Sequence, residues 1–258
     1  MKLKNVILKP LRLVKKMICD DRASFEEYAQ RSFSLEGEDI LFQSYLFRYV
    51  HVFKMLPANI MSDGFYLDIG AHHPRRHSNT CLLYRRGWTG INIDPMPGSK
   101  ELFDKERPKD INLEIAVSDV DESSTYYLLD DPGVKNSGRS GFLSEERVNF
   151  LSQSQGSRVS ASKEINKHRL GQILDQHLPA GKEIDLLNID VEGPEIAVLR
   201  SNNWEKYSPK FIFIEMHEYG IRNFNELEVP RFLEKYNYVL LSKLGITALF
   251  VRGDLFPK

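Results

Sequence analysis

The chain has 258 residues, long enough to bury the core of one α/β domain with additions. Its 35 Lys and Arg residues face 36 Asp and Glu residues, so the formal net charge at neutral pH is -1. This balance gives no electrostatic reason to expect a nucleic-acid partner. The two cysteines, Cys19 and Cys81, form no zinc or redox motif. We therefore expect a reducing, cytoplasmic location.

The N-terminal seventeen residues are basic and apolar by turns. They carry six cations and no acid, and no stretch of the chain has the roughly 18 apolar residues that a membrane span requires. Such a segment either packs on the domain or on a second subunit of a homodimer, or lies on the anionic inner face of a membrane. The sequence leaves these alternatives open.

A helical pattern follows the basic segment. Apolar residues recur at three- and four-residue spacing up to Lys54, and Glu38 and Asp39 fall in the first turn of the strongest part, where acids favour the helix dipole. We expect residues 1–60 to form a basic arm and a helical extension, and residues 61–258 to form the main domain.

The main domain is predicted to begin with a strand, a glycine turn, a helix and a second strand. Residues 65–69 are apolar except for Asp68 and lead into Gly70 and Ala71. A helix follows at 79–86, and a second strand at 90–94 ends in an acid. This arrangement is typical of the nucleotide-binding half of a Rossmann-like, doubly wound α/β sheet.

The glycine turn indicates which nucleotide the sheet binds. Gly70 lets a ligand approach the backbone, and Asp94 is placed to accept both hydrogen bonds of a ribose diol. A dinucleotide needs a turn with three glycines to hold its pyrophosphate, whereas this turn has one. The sequence therefore favours S-adenosylmethionine over NAD, and a strand that binds nothing is the third alternative.

The remaining chain alternates strands and helices, as expected of a mostly parallel sheet. Residues 130–162 interrupt this pattern, because they are rich in Gly, Ser, Asn and charge. We interpret them as a mobile loop that either covers the acceptor site or has no part in it. The other predicted elements are helices at 97–107 and 230–236, strands at 111–117, 123–129, 184–189 and 211–214, and a closing hairpin at 238–251.

Charged side chains follow two buried strands that we expect to be neighbours. Asp190 and Glu192 follow the strand at 184–189, and Glu215 and His217 follow the strand at 211–214. An attacking hydroxyl must lose its proton to a base or be made acidic by a metal. Imidazole changes charge near neutral pH, so we predict His217, with Glu192 and Asp190, as catalytic groups. Asp190, Glu215 and His217 are the candidate ligands for Mg²⁺ or Mn²⁺.

Between residue 34 and residue 217 the chain carries a series of short motifs. They are, in order, Ser34 with Gly37-Glu38-Asp39, the run from Phe65 to Pro74, Ser78-Asn79-Thr80, Gly87-Trp88, the run from Gly90 to Pro95, Asp190-Val191-Glu192-Gly193, and Glu215 with His217. Together these motifs resemble the FkbM-type methyltransferases. The resemblance implies S-adenosylmethionine-dependent O-methylation of sugars, glycolipid or capsule precursors, or polyketides. Relatives often carry Gln at the position of Leu35 and Lys at that of Asn188, so this chain departs from them there.

The resemblance also implies where the cofactor lies. Around the glycine turn, the residues expected to contact the cofactor are Asp68, Gly70, Ala71 and Asp94. The adenine is near Val117 or Ser118, and the methionine portion is near Glu38, Thr80 and Asp190.

Other functions compete with a saccharide O-methyltransferase, whose acceptor we expect to be a glycan or a nucleotide-linked sugar. A nucleic-acid methyltransferase needs a base-gripping motif after the fourth strand, where this chain has Asp190-Val191-Glu192-Gly193. A non-catalytic scaffold with a methyltransferase-like fold has no positive sequence feature. A polyketide or another small molecule is a further alternative acceptor.

Overall fold

The computed structural model describes residues 29–135, 137, 140–217 and 222–257. Residues Phe33–Lys258 form one compact unit. The predicted basic arm, residues 1–17, lies outside the described residues. Among the described helices, none has the length and apolar character needed to cross a bilayer.

The described chain alternates helices and strands, as the sequence predicts. The strands are β1 Phe65–Ile69, β2 Thr89–Ile93, β3 Ile111–Leu113, β4 Ala116–Val117, β5 Ser123–Asp130, β6 Arg158–His168, β7 Leu186–Ile189, β8 Phe211–Glu215, β9 Tyr238–Lys243 and β10 Thr247–Arg252. The α-helices are α1 Glu38–Phe47, α2 Cys81–Arg85, α3 Ser99–Glu106, α4 Glu145–Gln155, α5 Leu170–His177, α6 Glu195–Ser201 and α7 Glu228–Lys235. A π-helical turn at Arg48–Val52 continues α1, and short 3-10 turns occur at Ala58–Met61, Phe224–Glu226 and Gly253–Leu255.

Seven strands form the main sheet in the order β3-β2-β1-β7-β8-β10-β9. The first five of these are parallel to one another, and β10 runs antiparallel to both β8 and β9. The predicted mostly parallel α/β sheet with a C-terminal antiparallel hairpin is therefore confirmed.

Both faces of the sheet are covered, which explains why its strands are almost continuously apolar. On β1, Phe65, Leu67 and Ile69 join a core cluster with α5, α6 and α7. Tyr66, which points to the other face, joins a second cluster with α1. Burial of all five β1 residues is the consequence.

Helix α1 packs directly on the second face of the sheet. The Phe42 ring meets Trp88, Phe211 and Phe213 in edge-to-face contacts with centroids 5.2–6.0 Å apart. The N-terminal helix that we expected as part of an extension thus belongs to the same compact unit as the sheet.

A second, three-stranded sheet of order β4-β6-β5 includes much of the predicted loop. Within residues 130–162 the structure has helix α4, capped by the Ser144 hydroxyl, which accepts from the Arg147 amide at 3.2 Å, and the first part of β6. We call residues 123–168 the β5–β6 arm. Its Tyr126 and Ile165 pack with Met96, which follows β2, and with Ala116 of β4. The arm is therefore anchored beside the end of β2.

Candidate active site

The register of the sheet brings the predicted polar residues into one row. Ile69 pairs with Ile93 and Ile189, and Ile189 pairs with Ile214. One residue further along these strands are the row members Gly70, Asp94, Asp190 and Glu215, and Thr247 of β10 pairs with Glu215. Adjacent strands are about 4.8 Å apart, so the row extends roughly 14 Å from the residue after β2 to the end of β8.

Asp94 lies at one end of this row, almost fully buried at 7% exposure. One carboxylate oxygen accepts from the His72 amide at 2.7 Å, and the other from the Met96 amide at 2.8 Å. Burial raises the pKa of Asp94 to about 6, more than these hydrogen bonds lower it. Each oxygen keeps a second lone pair, so the group can still accept from two hydroxyls.

The amides of the glycine turn are already engaged within the protein. Those of Gly70 and Ala71 both donate to the Ile93 carbonyl, at 2.9 and 3.2 Å, and that of His72 donates to Asp94. A pyrophosphate site needs such amides to point at the ligand. This turn offers no row of free amides, as expected if the ligand at Asp94 carries no phosphate.

Gly70 is required by the protein's own backbone. Its φ is +79°, and a Cβ atom built on it would lie 1.7 Å from the Asp190 carbonyl oxygen. The sequence suggests that a ligand occupies the space beside this glycine, whereas the structure fills it with the end of β7. Gly70 thus holds the two strand ends together.

Asp68 lies below the turn in a buried polar ladder. Its carboxylate accepts from the Thr80 hydroxyl at 2.5 Å and from the Asn188 amide at 2.9 Å. Asn188 in turn accepts from Asn79 at 2.9 Å. Burial raises the pKa of Asp68, and the bonds from Thr80 and Asn188 oppose this. Asp68 and Thr80, implied as cofactor contacts, therefore bind each other inside the protein, where they fix the helix that follows the turn.

A buried arginine completes this ladder. Arg107 is 1% exposed and follows α3. Its guanidinium donates to the Thr80 hydroxyl at 2.8 Å, to the Ser78 hydroxyl at 2.7 Å and to the Pro74 carbonyl. One cation thereby fastens the whole segment between the glycine turn and α2.

Four ionisable groups cluster at the opposite end of the row. Donor atoms of Glu192, Glu215 and His217 all lie within 4.8 Å of one another, and His217 Nε2 is 3.6 Å from Glu215 Oε2. Asp190 is the immediate neighbour of Glu215, since the two side chains share a hydrogen bond. The structure thus brings together all the residues predicted as catalytic or metal-binding, with Asp190 in contact with Glu215, and with Glu192 close to both Glu215 and His217.

Burial and mutual repulsion control the protonation of this cluster. The pKa of Asp190 is raised well above its usual range by burial and by the charges of Glu215 and Glu192. Burial also raises the pKa of Glu215, while the neighbouring His217 lowers it. The cluster therefore holds excess negative charge that favours a proton or a bound cation.

Glu38 reaches the same edge from helix α1. It is buried, and its carboxylate accepts from the Thr247 hydroxyl at 2.9 Å and from the Glu36 amide at 2.8 Å. Thr247 is the residue opposite Glu215. Glu38 therefore ties the N-terminal helix to the row beside the acidic cluster.

Val117 and Ser118 lie under the β5–β6 arm. Val117 pairs with His168 of β6, and the Ser118 amide donates to the His168 carbonyl at 3.0 Å. Tyr126 of the arm is buried, and the charges of Asp94 and Glu192 add to burial in raising its pKa. Tyr126 thus lies within electrostatic reach of both Asp94 and the acidic cluster.

The sequence did not identify three of these residues as part of the site. Arg107 and Asn188 are bound by partners distant in the chain, and Tyr126 belongs to a strand that had been predicted without a role. Nothing in the sequence around Arg107 indicates that this side chain is buried and binds the segment after the glycine turn. Asn188 stood out only as a departure from the family pattern.

A seven-stranded sheet with one antiparallel strand next to its edge, and an acid after the second strand, defines a Rossmann-like fold of the methyltransferase type. Residues 68–240 match the methyltransferase FkbM domain. The chain belongs to the FkbM methyltransferase family.

Comparison with known proteins adds two findings. The chain resembles the crystal structure of methyltransferase FkbM from Methylobacillus flagellatus KT with 10% identity and a TM-score of 0.44, over 74% of this chain and 43% of that one. It therefore spans less than half the length of that protein. No curated protein matches the chain significantly.

Proposed function

We propose that this protein is an S-adenosylmethionine-dependent O-methyltransferase that acts on a hydroxyl of a saccharide, such as a glycan or capsule precursor or a nucleotide-linked sugar. The observation that carries the proposal is the row across the sheet, with a buried acid at one end and an acidic cluster with a histidine at the other. Membership of the FkbM family supports the methyl-transfer chemistry.

The donor set at the glycine turn suits S-adenosylmethionine. Asp94 can accept from the two ribose hydroxyls, and the turn lacks the free amides that a pyrophosphate needs. The row is long enough for a nucleoside with an amino-acid tail. When bound, S-adenosylmethionine supplies a methyl group on a positively charged sulfur.

The acceptor end of the row is assigned to the acidic cluster. Asp190, Glu192 and His217 are the groups that we expect to contact the acceptor hydroxyl and promote loss of its proton. His217 is 61% exposed at its side chain, so an acceptor can reach it from solvent. Carboxylates accept hydrogen bonds from neighbouring hydroxyls, which agrees with a sugar as the acceptor.

Calorimetric titration with S-adenosylhomocysteine and, separately, with NAD tests the cofactor. We expect saturable binding of S-adenosylhomocysteine and none of NAD. Asp94→Asn should weaken binding about tenfold or more, because it removes a charge-assisted acceptor. The matched control, Asp121→Asn, changes an exposed acid and should bind as the wild type does. Equal affinity of wild type and Asp94→Asn would refute the assignment.

The acceptor is tested by release of S-adenosylhomocysteine from S-adenosylmethionine in the presence of nucleotide-linked sugars and oligosaccharides. With an acceptor that the wild type methylates, the variant His217→Ala should lose turnover but still bind S-adenosylhomocysteine. Binding without turnover on every sugar offered would instead favour a scaffold.

A further inference from the structure

The acidic cluster has the composition of a metal site. Glu192 and Glu215 offer carboxylate oxygens and His217 offers an imidazole nitrogen, all within 4.8 Å of one another. Glu215 ends β8, His217 lies two residues beyond it, and Glu192 lies three residues beyond the adjacent parallel strand β7, so the sheet brings all three to one edge.

One oxygen of this cluster lacks a hydrogen-bond donor. The Glu215 side chain is only 7% exposed, and within the described part of the chain its Oε2 has no hydrogen-bond partner. His217 Nε2, at 3.6 Å, is too distant for a hydrogen bond. A buried carboxylate oxygen without a donor is costly, so Glu215 is aimed at a position where a cation would remove the cost.

The nearby lysine does not fill this need. Lys243 of the adjoining hairpin donates to the backbone carbonyls of Met216, Leu244 and Gly245, at 2.6–3.3 Å. Its ammonium group thereby closes the β9–β10 turn. None of these three contacts involves Glu215 Oε2, and Asp190 adds a further carboxyl group beside Glu215.

We propose that Glu192, Glu215 and His217 bind one divalent transition-metal ion of the Mn²⁺ type. Two carboxylates with one imidazole suit Mn²⁺ better than Mg²⁺, which prefers oxygen ligands and water. Ligands at right angles around such an ion lie about 3 Å apart, so the present spacing must shrink slightly. Glu192 and His217 are exposed, whereas Glu215 is buried, so this adjustment falls to the two exposed side chains.

The ion's role, but not its binding, rests on the proposed function. With the ion bound, Glu192 and His217 would act on the acceptor hydroxyl through it, which would make that hydroxyl more acidic and let its proton pass to water. Asp190 is then left as the hydrogen-bond partner of Glu215 that keeps this fixed ligand in place.

Binding is measured by electron paramagnetic resonance of Mn²⁺, whose free-ion signal disappears as the ion binds. The protein is stripped with EDTA, returned to chelator-free buffer and titrated with MnCl₂, alone and with saturating S-adenosylhomocysteine. We expect one ion per chain in both conditions. Glu215→Gln and His217→Ala should each raise the dissociation constant at least about tenfold, because each removes a ligand. The matched control Glu146→Gln, an exposed acid on α4, should not change it.

Three results would overturn the proposal. They are no stoichiometric binding to the wild type, equal affinity in the two ligand variants and the wild type, and loss of Mn²⁺ when S-adenosylhomocysteine is added. The last would show that the amino-acid tail of the ligand occupies the cluster. Calorimetry with S-adenosylhomocysteine in EDTA separates the metal proposal from the proposed function. Binding of S-adenosylhomocysteine without binding of Mn²⁺ would refute only the metal site. Binding of Mn²⁺ without binding of S-adenosylhomocysteine would refute only the cofactor assignment.

Discussion

Replacing Gly70 by alanine should destabilise the protein far more than a glycine replacement normally does. Gly70 and Gly98 both have a left-handed backbone, with φ +79° and +85°. Alanine costs about 1–2 kcal/mol in this conformation at either position. At Gly70 the new methyl would also lie 1.7 Å from the Asp190 carbonyl oxygen, whereas nothing lies within 4 Å at Gly98.

The clash cannot be relieved by turning a side chain, because its partner is backbone. The Asp190 amide donates to the Ile69 carbonyl at 2.9 Å, so moving Asp190 strains the β1–β7 pairing. Steric overlap of this kind adds about 1–3 kcal/mol or more. We therefore expect Gly70→Ala to lose about 2–5 kcal/mol of unfolding free energy and Gly98→Ala only about 1–2 kcal/mol.

Urea unfolding followed by circular dichroism measures both variants against the wild type. Because the two positions share the backbone conformation, their difference isolates the contact with Asp190. Equal losses in the two variants would show that β1 and β7 do not approach as closely as the structure has them.

Two further predictions concern buried charges. Affinity for S-adenosylhomocysteine should fall about tenfold from pH 7 to pH 5, because the pKa of Asp94 is about 6 and protonation removes the charge that accepts from the ribose. Calorimetry across this range should show the fall in wild type and little of it in Asp94→Asn, and an equal slope in both would assign the titration to another group. Arg107→Met should cost about 3 kcal/mol of unfolding free energy, because buried oxygens of the Pro74–Thr80 segment lose their donor. Arg86→Met, at an exposed position, should stay within about 0.5 kcal/mol in the same urea assay, and similar losses in the two variants would contradict the role given to Arg107.

Local patterns predicted most of the main sheet and strand β5, but not strand β6. Strands β1 and β8 are buried on both faces, so continuous apolar runs identify them from sequence. Strand β6 is mostly exposed and lacks such a run. It forms because it pairs with β5 along eight positions and with β4 along two, contacts between segments distant in the chain.

The sequence by itself determined the fold class and the edge of the sheet where function is to be sought. Parallel strands end on the same side, so acids that follow them must gather there whatever the loops do. Only the tertiary structure decided which of these acids meet. Register placed Glu192 beside Glu215 and His217, closed the space at Gly70 with Asp190, and enclosed Asp68 with Thr80 and Asn188. The reason is physical, because periodicity reports which face of an element is buried, whereas hydrogen-bond partners more than a hundred residues apart depend on how those faces pack.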